Sequence, residues 1–98
     1  MNQSSQIQNK LKWTGKKNEL VELIYAIYSS KKINHGNIEI QEITNVFEEV
    51  FKIKLGNYYQ KFHSIRCRQK NRTKFLDTIK ENAIEYMDKL DGINTENM

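Results

Sequence analysis

Residues 41–76 read QEITNVFEEVFKIKLGNYYQKFHSIRCRQKNRTKFL. Ile43, Val46, Phe47, Val50 and Phe51 recur at helical spacing, which predicts a helix over about 41–51. Ile53 and Leu55 lie in a short connection ending at Gly56, and Asn57 is a good N-cap for the next helix. That helix is predicted over about 57–69, with Tyr58, Phe62 and Ile65 inward and Tyr59 and Arg66 flanking. At 3.6 residues per turn its other face collects Asn57, Gln60, Lys61, Ser64 and Arg68. A helix, a glycine-containing turn and a second helix together resemble a helix-turn-helix unit.

The same stretch holds the charge. Lys52, Lys54, Lys61, Arg66, Arg68, Lys70, Arg72 and Lys74 fall between Phe51 and Leu76 with no Asp or Glu among them. Acidic residues lie on both sides, at Glu39, Glu42, Glu48 and Glu49 before it and from Asp77 after it. The whole chain carries only +4. A concentrated positive block in a folded region is the electrostatic footprint expected of a nucleic-acid surface. A basic face can also be merely solvated. Eight like charges without acidic partners repel one another, however, and a bound polyanion relieves that cost.

Outward from this block, the remaining segments are also helical. A first helix is expected over 14–30, capped by Thr14, with Leu20, Leu23, Ile24, Ile27 and Tyr28 on one stripe. Asn34-His35-Gly36-Asn37 is a turn by composition. Ile38-Glu39-Ile40 alternates, allowing at most a minor strand. A fourth helix, capped by Thr73, aligns Phe75, Leu76, Ile79, Ala83, Tyr86, Met87 and Leu90 as a core-facing stripe, with Gly92 as terminator. Trp13 is expected to close the edge of the core. The expected architecture is all-α, a four-helix domain over residues 11–91 between a disordered arm at 1–10 and a disordered tail at 92–98.

The site expected from these patterns is a DNA-binding face. Lys61 and Arg68 suit guanine or phosphate, Asn57 and Gln60 suit adenine, and Ser64 suits base edges or backbone. Lys70, Asn71, Arg72, Thr73 and Lys74 would supply phosphate contacts after the third helix. The aromatic residues take inward positions, whereas a single-strand binder needs them exposed for stacking, so duplex DNA is favoured over RNA.

Other chemistry is weakly indicated. His63 and Cys67, four apart on one helix, are two potential metal ligands, too few for a site, and the thiol is expected to be partly buried. His63-Ser64-Ile65-Arg66 followed by Tyr86 echoes the His-x-x-Arg…Tyr order of tyrosine recombinases, but that chemistry needs further arginines on a longer domain. Without paired carboxylates, a phosphate loop or a nucleophile–base pair, no enzyme and no cofactor are expected. The single cysteine precludes an intramolecular disulfide, and no apolar run reaches the roughly 18 residues of a membrane span. The expected setting is cytoplasmic. Expected partners are duplex DNA, with a second copy or other regulators as further candidates. The rival reading is a protein-interaction module whose basic face docks an acidic partner.

Leu11-Lys12-Trp13-Thr14-Gly15, Glu22-Leu23-Ile24-Tyr25-Ala26-Ile27, and the stretch from Gly56-Asn57-Tyr58-Tyr59 through Ile65-Arg66 to Asn71-Arg72-Thr73-Lys74-Phe75-Leu76-Asp77 resemble the C-terminal portion of the RteC family. The resemblance covers residues 11–90. It implies a DNA-binding transcription regulator of excision and transfer carried by conjugative transposons of Bacteroides-type bacteria, with a helix-turn-helix or winged-helix type domain. A wing would need a hairpin after the third helix, for which residues 69–73 are too few, so a helical domain is expected. Members of the family also carry a sizeable N-terminal domain, and the chain would be a fragment or a short paralogue.

Overall fold

A computed structural model describes residues 8–92. Residues 1–7 of the arm expected at 1–10 and 93–98 of the tail expected at 92–98 therefore lie outside the described residues, while within 8–10 the Asn9 carbonyl accepts from Lys52 Nζ at 2.9 Å. Four α-helices follow one another: α1 Lys17–Ser30, α2 Ile40–Phe51, α3 Tyr58–Arg66 and α4 Lys74–Leu90, with a 3-10 turn at Asn34–Gly36 between α1 and α2. No strand occurs among the described residues, and residues 38–39 simply lead into α2. The all-α class and the four helices agree with the sequence.

The packing is centred on α1. It contacts α2, α3 and α4, while those three make no close backbone approach to one another. Leu20, Val21 and Ile24 of α1 are almost fully buried, together with Ile43, Leu55, Tyr58 and Ile65. A helix covered from three sides buries more than one stripe. Val21 and Tyr25 therefore also face inward, and Tyr28, expected inside, is exposed. For the same reason α2 is not buried against α3. Both rest on α1, and a hydrogen bond from the Tyr58 hydroxyl to Gln41 Oε1 at 2.7 Å links them. Stacking of Tyr25 on Phe62, with ring centroids 3.8 Å apart, fixes α3 against α1.

Local chemistry sets the helix starts. Helix α1 begins at Lys17 rather than after Thr14, because the preceding segment is held elsewhere. The Trp13 backbone N–H donates to Phe51 O at 3.0 Å, and its indole Nε1 donates to Lys16 O at 2.9 Å. The Glu19 carboxylate, one turn into the helix, accepts from the Lys16 N–H at 3.0 Å. A Cβ on Gly15 would meet Glu19 Oε1 at 2.6 Å and the Trp13 ring at 3.2 Å, so a side chain there would push the Glu19 carboxylate off this cap. Trp13 then packs edge-on against Phe51 and Phe75, 5.7 and 5.9 Å away, and closes the core edge as expected.

Five further expected core positions do not hold. Val46 is 51% exposed on α2. On α4, Ala83, Tyr86, Met87 and Leu90 are all exposed, because α4 touches α1 only near its N-terminal end and its later turns have no neighbour among the described residues.

Burial and the adjacent Tyr59 phenol push the Tyr58 hydroxyl up to about 12. An acid whose folded value is raised keeps its full stabilising contribution below the ordinary phenol value near 10 and loses it as pH climbs toward 12. In an alkaline titration followed by phenolate absorbance, Tyr58 should ionise last among the phenols, in step with loss of helical signal. Ionisation of all five tyrosines near pH 10 would contradict its buried placement.

Candidate nucleic-acid interface

Helix α3 owes its orientation to three inward side chains. Tyr58 and Ile65 are buried and Phe62 is half-buried, so the opposite face looks outward. Its entry follows from Gly56, whose φ of +69° suits glycine, and from Asn57, whose Oδ1 accepts from the Gln60 N–H at 3.1 Å. Gln60 and Ser64 are exposed on that outward face. Lys61 is partly covered and folds back, its Nζ 3.9 Å from where a Cβ on Gly56 would lie. The Asn57 oxygen is committed to the cap, though the residue remains exposed.

Arg68 departs from the sequence expectation. The helix ends at Arg66 rather than Gln69, so Arg68 lies beyond it and outside the helical face assigned to it. Its guanidinium points toward the buried Glu22 carboxylate, 3.9 Å away, and donates to Asn71 O at 3.3 Å. Glu22 is 5% exposed and also accepts from the Leu76 N–H at 2.9 Å. A carboxylate withdrawn from water needs such donors and a cation, and that demand draws Arg68 inward. The pair ties α1 to the 67–73 loop and to the first turn of α4.

Lys70, Asn71, Arg72, Thr73 and Lys74 are all exposed, but they divide around this tie. Lys74 and Arg68 help line a cleft of about 370 Å³ shared with Lys16 and Lys17 at the start of α1. Arg72 and Thr73 border a second, mostly apolar groove of about 500 Å³, walled by Tyr25, Tyr28, Phe62 and Leu76. Lys16 and Lys17 were missed from sequence because Lys17 stands 35 positions before Lys52, the first cation of the basic block; only a prediction of how α1 and α4 cross could have found them.

Six of the eight cations in 51–76 are exposed, Lys61 and Arg68 being partly covered. Among the described residues the one ion pair is Arg68 with Glu22, so no other cation of the block has a neutralising carboxylate within 4.0 Å. Thr73 starts α4 as expected, but its hydroxyl donates to Asp77 Oδ1 at 3.2 Å instead of capping a backbone N–H.

The metal alternative gains nothing from the geometry. Cys67 Sγ lies 3.5 Å from His63 Nε2, and no group of three or more His, Cys, Asp or Glu able to hold a metal occurs among the described residues. The Cys67 thiol is exposed, not partly buried, because α3 has already ended. No helix among the described residues is long and apolar enough to cross a membrane.

A family model described as RteC protein matches residues 1–91 of the chain. Neither curated proteins nor solved structures gave a match.

Proposed function

The chain belongs to the RteC family, and from that premise we propose that it is a duplex-DNA-binding module of a transcription regulator, controlling excision or transfer functions of a mobile genetic element. The carrying observation is the acid-free run of eight cations in 51–76, six of them exposed and, among the described residues, one alone ion-paired. In this reading α3 is the helix that enters the groove, and α1, rather than the preceding α2, supports it from behind. Gln60 and Ser64 then meet base edges, and Lys61 and Asn57 meet base edges or backbone at the entry of α3. Lys70, Asn71, Arg72, Thr73 and Lys74 take phosphates. Arg68 acts mainly by holding the loop that presents them. The module works without catalysis or cofactor, in the cytoplasm where its DNA lies.

Neutralising five or six phosphates makes log K fall with log salt at a slope near −5. Anisotropy titrations of a labelled duplex at several salt concentrations measure it. A slope near −1 would refute groove-and-backbone engagement on this scale. Nuclease-resistant capture of an acidic protein, with duplex unbound, would instead favour the protein-docking alternative.

A further inference from the structure

The far half of the apolar stripe of α4 has no counterpart among the described residues, whereas Leu76 and Ile79 at its near end are half-buried. Leu76, Ile79, Ala83, Tyr86 and Leu90 are spaced three, four, three and four residues apart, the a/d repeat of a two-helix seam. From Ala83 onward the stripe is exposed, with Tyr86 at 63%, the flanking Met87 at 56% and Leu90 at 68%. We propose that this stripe pairs with the same stripe of a second copy of the chain, as a symmetric antiparallel two-helix contact.

Charge placement favours a second copy over an unrelated partner. Asp77, Glu81, Glu85, Asp88 and Asp91 all fall on the outer positions of the repeat, away from the seam. The seam's flanks carry Lys80, Asn82, Met87 and Lys89. In an antiparallel pair each flank meets its own kind of position across the two-fold axis. Lys80 then lies beside Met87 of the second copy and Asn82 beside Lys89 of the second copy, so no like charges oppose one another.

Size complementarity selects the antiparallel direction. Setting Ile79 opposite Leu90 of the second copy sets Ala83 opposite its Tyr86, and the large ring fills the space above the small residue. A parallel pair would oppose Tyr86 to Tyr86 and Ala83 to Ala83. Antiparallel helix dipoles also attract. Leu90 of the second copy then meets the half-buried Ile79, one turn after Leu76, which lines the apolar groove beside Tyr25 and Phe62. The exposed part of the seam spans only about two turns of α4, which puts the contact at the weak and reversible end of specific interfaces.

Sedimentation velocity of the full chain from about 5 µM to 1 mM should show the mean mass rising toward that of a dimer. Leu90→Glu and Tyr86→Glu alter side chains already in water in the monomer. Each should leave the helical signal intact and raise the dissociation constant at least about 30-fold. A wild type that stays monomeric at 1 mM, or variants that associate as tightly as wild type, would overturn the contact. Direction is read with a nitroxide at Lys74→Cys in a Cys67→Ser background, which removes the exposed native thiol. At a rise of 1.5 Å per residue, an antiparallel pair places the labels about 30 Å apart and a parallel pair about 10 Å. The shorter distance would refute the antiparallel arrangement.

Discussion

Replacing Lys70, Arg72 and Lys74 together by glutamine is expected to lower affinity for duplex DNA by roughly 500-fold at 0.1 M salt and to flatten the salt slope by about 3. Each neutralised phosphate contributes about 0.9 to the slope, so three lost contacts carry nearly three powers of ten at that ionic strength. All three side chains are exposed, and none is within 4.0 Å of a carboxylate among the described residues, so their charge is available to a ligand. The fold should tolerate the change, because none of the three holds a hydrogen bond through its side chain to another element. Substituting Lys10, Lys12 and Lys32, also exposed, removes the same net charge from elsewhere and should cost under tenfold. Equal losses from the two triple variants would show that net charge alone, rather than the 70–74 turn, governs binding. Arg68→Ala belongs to neither class. It leaves the buried Glu22 with the Leu76 N–H alone, so its effect on affinity should be accompanied by lost stability.

The second large effect falls on Leu55. Its side chain is fully buried although it lies in the connection between α2 and α3. Its backbone N–H donates to Glu48 Oε2 at 2.9 Å, which locks the connection onto the end of α2. Leu55→Ala should cost roughly 3–4 kcal/mol, through lost transfer energy and the cavity left behind. Against the roughly 5–10 kcal/mol that holds a domain of this size together, that is a large share. Urea melts followed by helical ellipticity should show the midpoint falling by about 2 M or more. Val46→Ala, on the exposed side of α2, should shift stability by less than about 0.5 kcal/mol. A loss below 1 kcal/mol for Leu55→Ala would mean that the connection is not an integral part of the core.

Individual elements show how far local pattern reaches. The inward set of α3, Tyr58, Phe62 and Ile65, was legible because a short helix with one neighbour has a single apolar stripe. The Asn57 cap and the Gly56 turn were legible because each depends on the backbone of adjacent residues. Trp13 was legible as a core edge from its size alone. The end of α3 was not, because Arg68 is drawn off the helical path by a carboxylate 46 positions earlier in the chain. The fate of Tyr86 and Leu90 was equally hidden, since periodicity marks an apolar stripe without naming what covers it.

The order of residues by itself determined four helices, their approximate limits and one acid-free cationic stretch, because capping, helical period and charge are properties of near neighbours. The tertiary structure alone decided that α1 is the hub, that Lys16 and Lys17 join Lys74 beside the Glu22–Arg68 tie, and that the far half of α4 faces outward. Those outcomes depend on which surfaces compete to cover α1 and where a buried carboxylate finds its cation. Such competition acts between residues distant in the chain, and no local pattern encodes its result.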